Sequence, residues 1–141
     1  MSVTTQRVVR VVESGSGPFS QIVTAGGHTL SADEPEAVGG HDVGPSPYEY
    51  LLAGLGACTA ITLRSYIARH NWGVDRIAVE LQHARISAAD GTSIIDQFRR
   101  DIHLKGDLSA EQRLKLLEVA NRCPVSETLR RSSVVESKLA E

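Results

Sequence analysis

Apolar and polar positions change their period several times along the chain, and each change predicts an element. Val8, Val9, Val11 and Val12 fill the run from Gln6 to Glu13 with β-branched bulk, which predicts a first strand. Ser14-Gly15-Ser16-Gly17-Pro18 predicts a turn, Phe19 to Thr24 a second strand and His28 to Ala32 a third. Gly26-Gly27 would join the last two as a two-residue hairpin turn with both glycines at positive φ. The result is an antiparallel meander. Asp33 to Pro45, with Gly39-Gly40 and two prolines, predicts a loop of the length that proteins often use for function.

From Tyr50 to Leu63 the polar phase disappears, and only Gly54, Gly56, Thr59 and Thr62 interrupt the apolar residues. A helix apolar on all sides is buried on all sides. Its start is well marked: Ser46 can cap it, Pro47 fits the first helical position, and Glu49 stands three after the cap, as a capping box requires. Running from Pro47 to His70, where Asn71-Trp72-Gly73 stops it, the helix would be roughly 36 Å long.

The period then returns to two. Ile77, Val79 and Leu81 alternate with polar neighbours in a long strand from Val74 to Ser87. Ala89-Asp90-Gly91-Thr92 turns the chain. Ile94 to Lys105 comes back with Phe98, Ile102 and Leu104 on the apolar side and charges between, and Gly106-Asp107 ends it. Ser109 and Gln112 form a second capping box ahead of Leu114, Leu117, Val119 and Ala120, whose spacing is helical through Asn121. Cys123 before Pro124 predicts a cap and the first residue of a short third helix. Ser133 to Leu139 predicts a last strand. The pattern as a whole is one of antiparallel strands and a long buried helix, in one domain over residues 1–141.

Composition narrows the function classes. The 141 residues are 41% hydrophobic, 23% charged and 4% aromatic, an ordinary globular balance whose core must be aliphatic. A net charge of −2, a pI near 6.2 and no basic stripe exclude a nucleic-acid partner. The N-terminus lacks the apolar core of a signal peptide, and the apolar run of the long helix falls short of the ~20 residues of a membrane span. The expected location is therefore cytoplasmic, where two cysteines are buried thiols or redox groups rather than a structural disulfide.

Cys58 lies on a face of small residues, with Gly54 one turn before it and Thr62 one turn after. Cys123 lies at a helix start, which favours a thiolate. The two are 65 residues apart, from position 58 to position 123, so only the fold can bring them together. Taken alone, they are either a redox pair or two inert, space-filling thiols. The five histidines have no metal-ligand spacing, so neither a metal nor a cofactor is expected. The glycine pairs lack the lysine and the strand-to-helix context of a phosphate loop. Arg99-Arg100 and Arg130-Arg131 read as solvated charges.

The stretch Gly44-Pro-Ser-Pro-Tyr-Glu-Tyr-Leu-Leu-Ala-Gly-Leu-Gly-Ala-Cys58-Thr59, with the distant Asn121-Arg-Cys-Pro-Val-Ser-Glu-Thr-Leu129, resembles the OsmC/Ohr family of osmotically inducible and organic hydroperoxide resistance proteins. Asp33-Glu34-Pro35 and Gly39-Gly40 fit its less characterised OsmC-like branch. The resemblance implies an α+β, OsmC-like fold, with antiparallel sheets around the long buried central helix, in which two chains intertwine as a homodimer with two active sites at the interface. It implies a thiol peroxidase in which Cys58 attacks an organic hydroperoxide, Cys123 resolves the sulfenic acid, and a dithiol reductant of the lipoyl type resets the pair. The alternative is an OsmC-like small-molecule-binding protein with weak or lost peroxidase activity.

Two positions depart from the family pattern. Its glutamate ten before the first cysteine is Tyr48 here, and Glu49 stands nine before, which leaves Glu49 as a shifted catalytic candidate or as a plain capping residue. The arginine of the family's loop between the first two strands is absent from Ser14 to Gln21. Arg7, Arg10, Arg64, Arg122 or a residue of a partner chain are the candidates to replace it.

Overall fold

The computed structural model describes residues 7–140. The chain divides into two compact units, one up to Leu51 and one from Leu52 onward.

In the first unit β1 (Val9–Glu13), β2 (Gln21–Ala25) and β3 (His28–Ala32) form an antiparallel sheet in the order β1-β2-β3. Val9 pairs with Ala25, and Gln21 pairs with both Glu13 and Ala32. A strand can extend only as far as its partner. This is why β1 begins at Val9, and why β2 begins at Gln21 rather than Phe19; Gln6, the expected start of the first strand, lies outside the described residues. In the β2–β3 turn Gly26 has φ +60°, while Gly27 is not at positive φ. One left-handed residue at the first central position is sufficient for a type II′ hairpin.

The loop after β3 is built around Asp33, which is 3% exposed. Its carboxylate accepts the backbone N–H of Glu34 at 2.7 Å, His41 at 3.2 Å and Val43 at 3.3 Å. Burial works against the charge, but these amides and the nearby His41 hold the carboxyl below its ordinary value. The loop includes a single 3-10 turn at Glu36–Val38, ended by Gly39 at φ +97°.

α1 runs from Pro47 to His70, as its sequence signals predict, and Asn71 stops it at φ +53°. Ser46 and Glu49 form the expected capping box: the Ser46 N–H donates to Glu49 Oε1 at 3.0 Å and the Glu49 N–H to Ser46 Oγ at 3.4 Å. Only one stripe of α1 is buried: Leu55, Gly56, Thr59, Leu63 and Ile67. Ile61 is 68% exposed, so the all-round burial expected from the apolar run is not achieved by this chain alone. With 24 residues, α1 is also long and apolar enough by length and composition to cross a membrane, more than its interrupted apolar run suggested. Leu63 and Ile67 nevertheless pack into a core cluster with Val74, Leu116, Val119 and Ala120, as a core helix does.

In the second unit β4 (Gly73–Ser87) and β5 (Ile94–Asp107) form a long antiparallel ribbon. β5 runs two residues past the expected Lys105, because Gly106 and Asp107 pair with Val74 and Gly73 beyond a bulge between Val74 and Arg76. One face of the ribbon is covered, and Ile77, Ile102 and Leu104 pack against the core cluster from that face. α2 (Ala110–Ala120) starts at the predicted capping box of Ser109 and Gln112, and α3 (Pro124–Arg130) starts with Cys123 as its cap. The predicted strand at Ser133–Leu139 is not formed: among the described residues this extended segment pairs with no strand, and Val134, Val135 and Leu139 are exposed. β-Branched residues favour extended backbone, but a strand also needs a partner edge.

Candidate functional site

α1 and the short link between α2 and α3 bring the two thiols together. Cys58 projects from α1 and is half-buried; Cys123, between α2 and α3, is 0% exposed. The two thiols lie close enough for each to shift the other's ionisation, and both are free.

The groups around the two sulfurs differ. Cys123 Sγ accepts the Ser126 N–H at 3.4 Å and faces the Thr59 hydroxyl at 4.0 Å. Thr59 is 0% exposed, and its single hydroxyl proton has two claimants, the sulfur and the Leu55 carbonyl at 2.6 Å. Burial alone would push the Cys123 thiol up. The Ser126 amide, the Cys58 thiol, the Thr59 hydroxyl and the Val125 amide together outweigh it and hold the thiol below its ordinary value. Cys58 moves the other way. Burial pushes it up, the Val125 amide opposes this, and the adjacent Cys123 adds to the rise, with the Thr62 hydroxyl opposing it last.

Arg100 completes the cluster, and it is not one of the arginines expected there. Its Nη1 donates to Thr59 Oγ1 at 2.9 Å, and its Nη2 to Asn121 Oδ1 at 3.1 Å and Ser126 Oγ at 3.2 Å. It is therefore a half-buried positioning group, not a solvated charge. Arg130, also expected to be solvated, donates to Asn121 O and Asn121 Oδ1, both at 3.0 Å, at the C-terminal end of α2. The arginines expected to serve Cys58 are placed otherwise. Arg64 Nη1 donates to Val74 O at 2.8 Å, the Arg7 side chain lies against Gly26 in the first unit, and Arg10 and Arg122 are exposed.

Glu49 belongs to the first unit, where its carboxylate completes the α1 capping box. The Ser46 amide, and then the Ser46 hydroxyl, hold it below the ordinary carboxylate range. An open apolar groove of about 500 Å³ lies between β5 and α2, lined by Ile102, Leu104, Leu114 and Leu117, and neither sulfur lines it. No group of three or more metal-ligating side chains occurs among the described residues.

The chemistry this arrangement permits is that of a dithiol: a half-exposed thiol and a second, buried thiol close to it. Comparison with known proteins agrees in fold. The model for the OsmC-like protein family matches residues 39–138. Among solved structures, an OsmC-like protein from Mycoplasma pneumoniae superposes with a TM-score of 0.74 at 16% identity, covering 91% of this chain and 89% of that one. An organic hydroperoxide resistance protein OsmC from Legionella pneumophila gives 0.69 at 15% identity, covering 92% of each chain. The organic hydroperoxide resistance protein OhrB of Bacillus subtilis gives 0.63 at 21% identity, covering 89% of this chain and 91% of that one. No match is found among curated protein sequences. A mixed α+β chain with antiparallel sheets, a long helix between them in sequence and a family match spanning both cysteines belongs to the OsmC-like protein family.

Proposed function

We propose that this protein is a thiol-dependent peroxidase that reduces organic hydroperoxides in the cytoplasm. The observation that carries the reading is the closeness of two free thiols 65 residues apart in sequence, one half-exposed and one fully buried. Cys58 is the sulfur a hydroperoxide can reach. Its attack on the O–O bond yields a sulfenic acid and an alcohol, Cys123 condenses with the sulfenic acid to a disulfide, and an external dithiol restores both thiols. The hydroperoxide resistance proteins of the same fold support this substrate class. Glu49 remains a candidate contributor on the family pattern, although its carboxylate is engaged in the cap.

The test is peptide mapping by mass after a stoichiometric amount of cumene hydroperoxide, with and without a dithiol. The expected result is a Cys58–Cys123 disulfide that the dithiol reverses. Thiols that stay reduced through many equivalents would overturn the reading and favour a small-molecule-binding role instead.

The working unit in this proposal is a homodimer. α1 leaves Ile61 and the small residues Ala53, Gly54 and Ala57 uncovered, an apolar face that a second copy would bury. Light scattering at low micromolar protein is expected to give about twice the chain mass, and a species of 15.2 kDa would refute the dimer.

A further inference from the structure

Arg100 brings a positive charge to the covered face of β5, and its hydrogen-bond partners are all neutral: Thr59, Asn121 and Ser126. Arg130 converges on the same Asn121. Among the described residues, no carboxylate pairs with either arginine. Glu127, nearby in sequence, is exposed on the first turn of α3. A half-buried cation without a counter-charge favours an anion near it over a neutral group. The groups in this cluster able to carry a negative charge are the two sulfurs. Two of the residues that present a donor to Cys123 Sγ, Thr59 and Ser126, also hold the Arg100 guanidinium through their hydroxyl oxygens.

We infer that the resting negative charge of the site is carried by the buried Cys123 and not by the accessible Cys58, that Arg100 positions the donors that hold it there, and that Cys123 is the base that takes the proton of Cys58. The opposite displacements of the two thiols from their ordinary values agree with this assignment.

The assignment gives Cys123 three successive tasks, which rest on the peroxidase reading. The Cys123 thiolate first removes the proton of the Cys58 thiol. The Cys58 thiolate then attacks the terminal oxygen of the hydroperoxide; an S–O bond forms, the O–O bond breaks, and an alkoxide leaves. Sulfur is oxidised by two electrons and the peroxide is reduced by two. The alkoxide takes the proton from Cys123, leaving as alcohol and regenerating the thiolate. That thiolate attacks the Cys58 sulfenic sulfur, forming the disulfide and releasing hydroxide. The single negative charge is conserved throughout. A half-exposed thiol kept protonated until a substrate arrives is also shielded from adventitious alkylation.

The experiment is ultraviolet titration of thiolate absorbance in Cys58→Ser and Cys123→Ser, with circular dichroism to confirm the fold. In Cys58→Ser, whose hydroxyl still donates, the remaining thiol should titrate about one unit or more below the ordinary value of ~8.5, whereas in Cys123→Ser it should titrate at or above it. Adding Arg100→Gln to Cys58→Ser should raise the Cys123 value by about one unit, and Arg100→Lys should restore most of the shift. An acidic thiol in Cys123→Ser, or an ordinary one in Cys58→Ser, would overturn the assignment; a Cys123 value indifferent to Arg100→Gln would overturn the part given to the arginine. Titration needs no turnover, so a parent protein that never reduces a hydroperoxide would defeat the peroxidase reading and leave this result standing.

Discussion

Cys58→Ser is expected to slow the reduction of cumene hydroperoxide by about 1000-fold or more, to the rate of the buffer blank. Three observations set the size. A serine hydroxyl is far less acidic than a thiol, and the surroundings of position 58 do not compensate, because burial and the neighbouring sulfur outweigh the Val125 amide and Thr62 hydroxyl that favour an anion there. The other thiol cannot take over, because Cys123 has no exposed surface. The scaffold is not at stake, since serine is close to cysteine in size and position 58 is only half-buried. Cys123→Ser should behave differently: the attack is slower without its base, and the single turnover then stalls with Cys58 as sulfenic acid, which a sulfenic-acid trap would label. A Cys58→Ser protein that works at the parent rate would remove the accessible thiol from the chemistry.

The second large effect is on stability. Gly40→Ala should destabilise the protein by about 3 kcal/mol or more, read from the urea midpoint at matched protein concentration. A Cβ at this buried position would overlap the Glu34 carbonyl oxygen and lie 2.5 Å from its carbon and 2.9 Å from Asp33 Oδ1. The first two are backbone atoms that no rotamer change can move. They are also pinned: the Gly40 N–H donates to Pro35 O at 3.1 Å, the Asp42 N–H to Glu34 O at 3.1 Å, and Asp33 grips the amides on either side of Asp42. Gly27→Ala is the matched control. It has open space around it and no positive φ, so its midpoint should barely move. Equal effects of the two would mean that the Asp33–Val43 loop is not held as described.

The helices were legible because their ends carry local chemistry. Ser46-Pro47 and Asn71 bound α1, Ser109 with Gln112 starts α2, and Cys123-Pro124 starts α3; in each case a few adjacent residues decide the boundary. The sheets were legible in type but not in extent, since Val9, Gln21 and Asp107 are limits set by the partner strand. The C-terminal run had the residues of a strand and no edge to join.

The site was legible in its sulfurs and illegible in its arginine. A signal for Arg100 was nonetheless present. It shares the parity of Phe98, Ile102 and Leu104, so period two puts it on the covered face of β5, whereas Arg99 falls on the open one. The side chain was read by its charge and not by its phase. That it meets Thr59 and Ser126 depends on α1 and α3 packing near that face, which no local pattern encodes. Arg130 was missed for a related reason, since its acceptors at Asn121 exist only once α2 has ended there.

The β4–β5 ribbon also bears on the order in which the chain folds. Its ends are joined by a short turn, in which the Ala88 N–H bonds Ser93 O at 2.8 Å and Asp90 Oδ1 accepts the Thr92 and Ser93 amides. Hairpins of this kind close within about 1–10 μs. Bringing the sulfurs together closes a span of 65 residues, which costs about 2 kcal/mol more in loop entropy than the six-residue turn. The ribbon, including Arg100, is therefore expected to form before the thiols meet. A nascent or half-folded chain carries two solitary cysteines, and disulfide trapping between them is a clock for completed folding as much as an assay of chemistry.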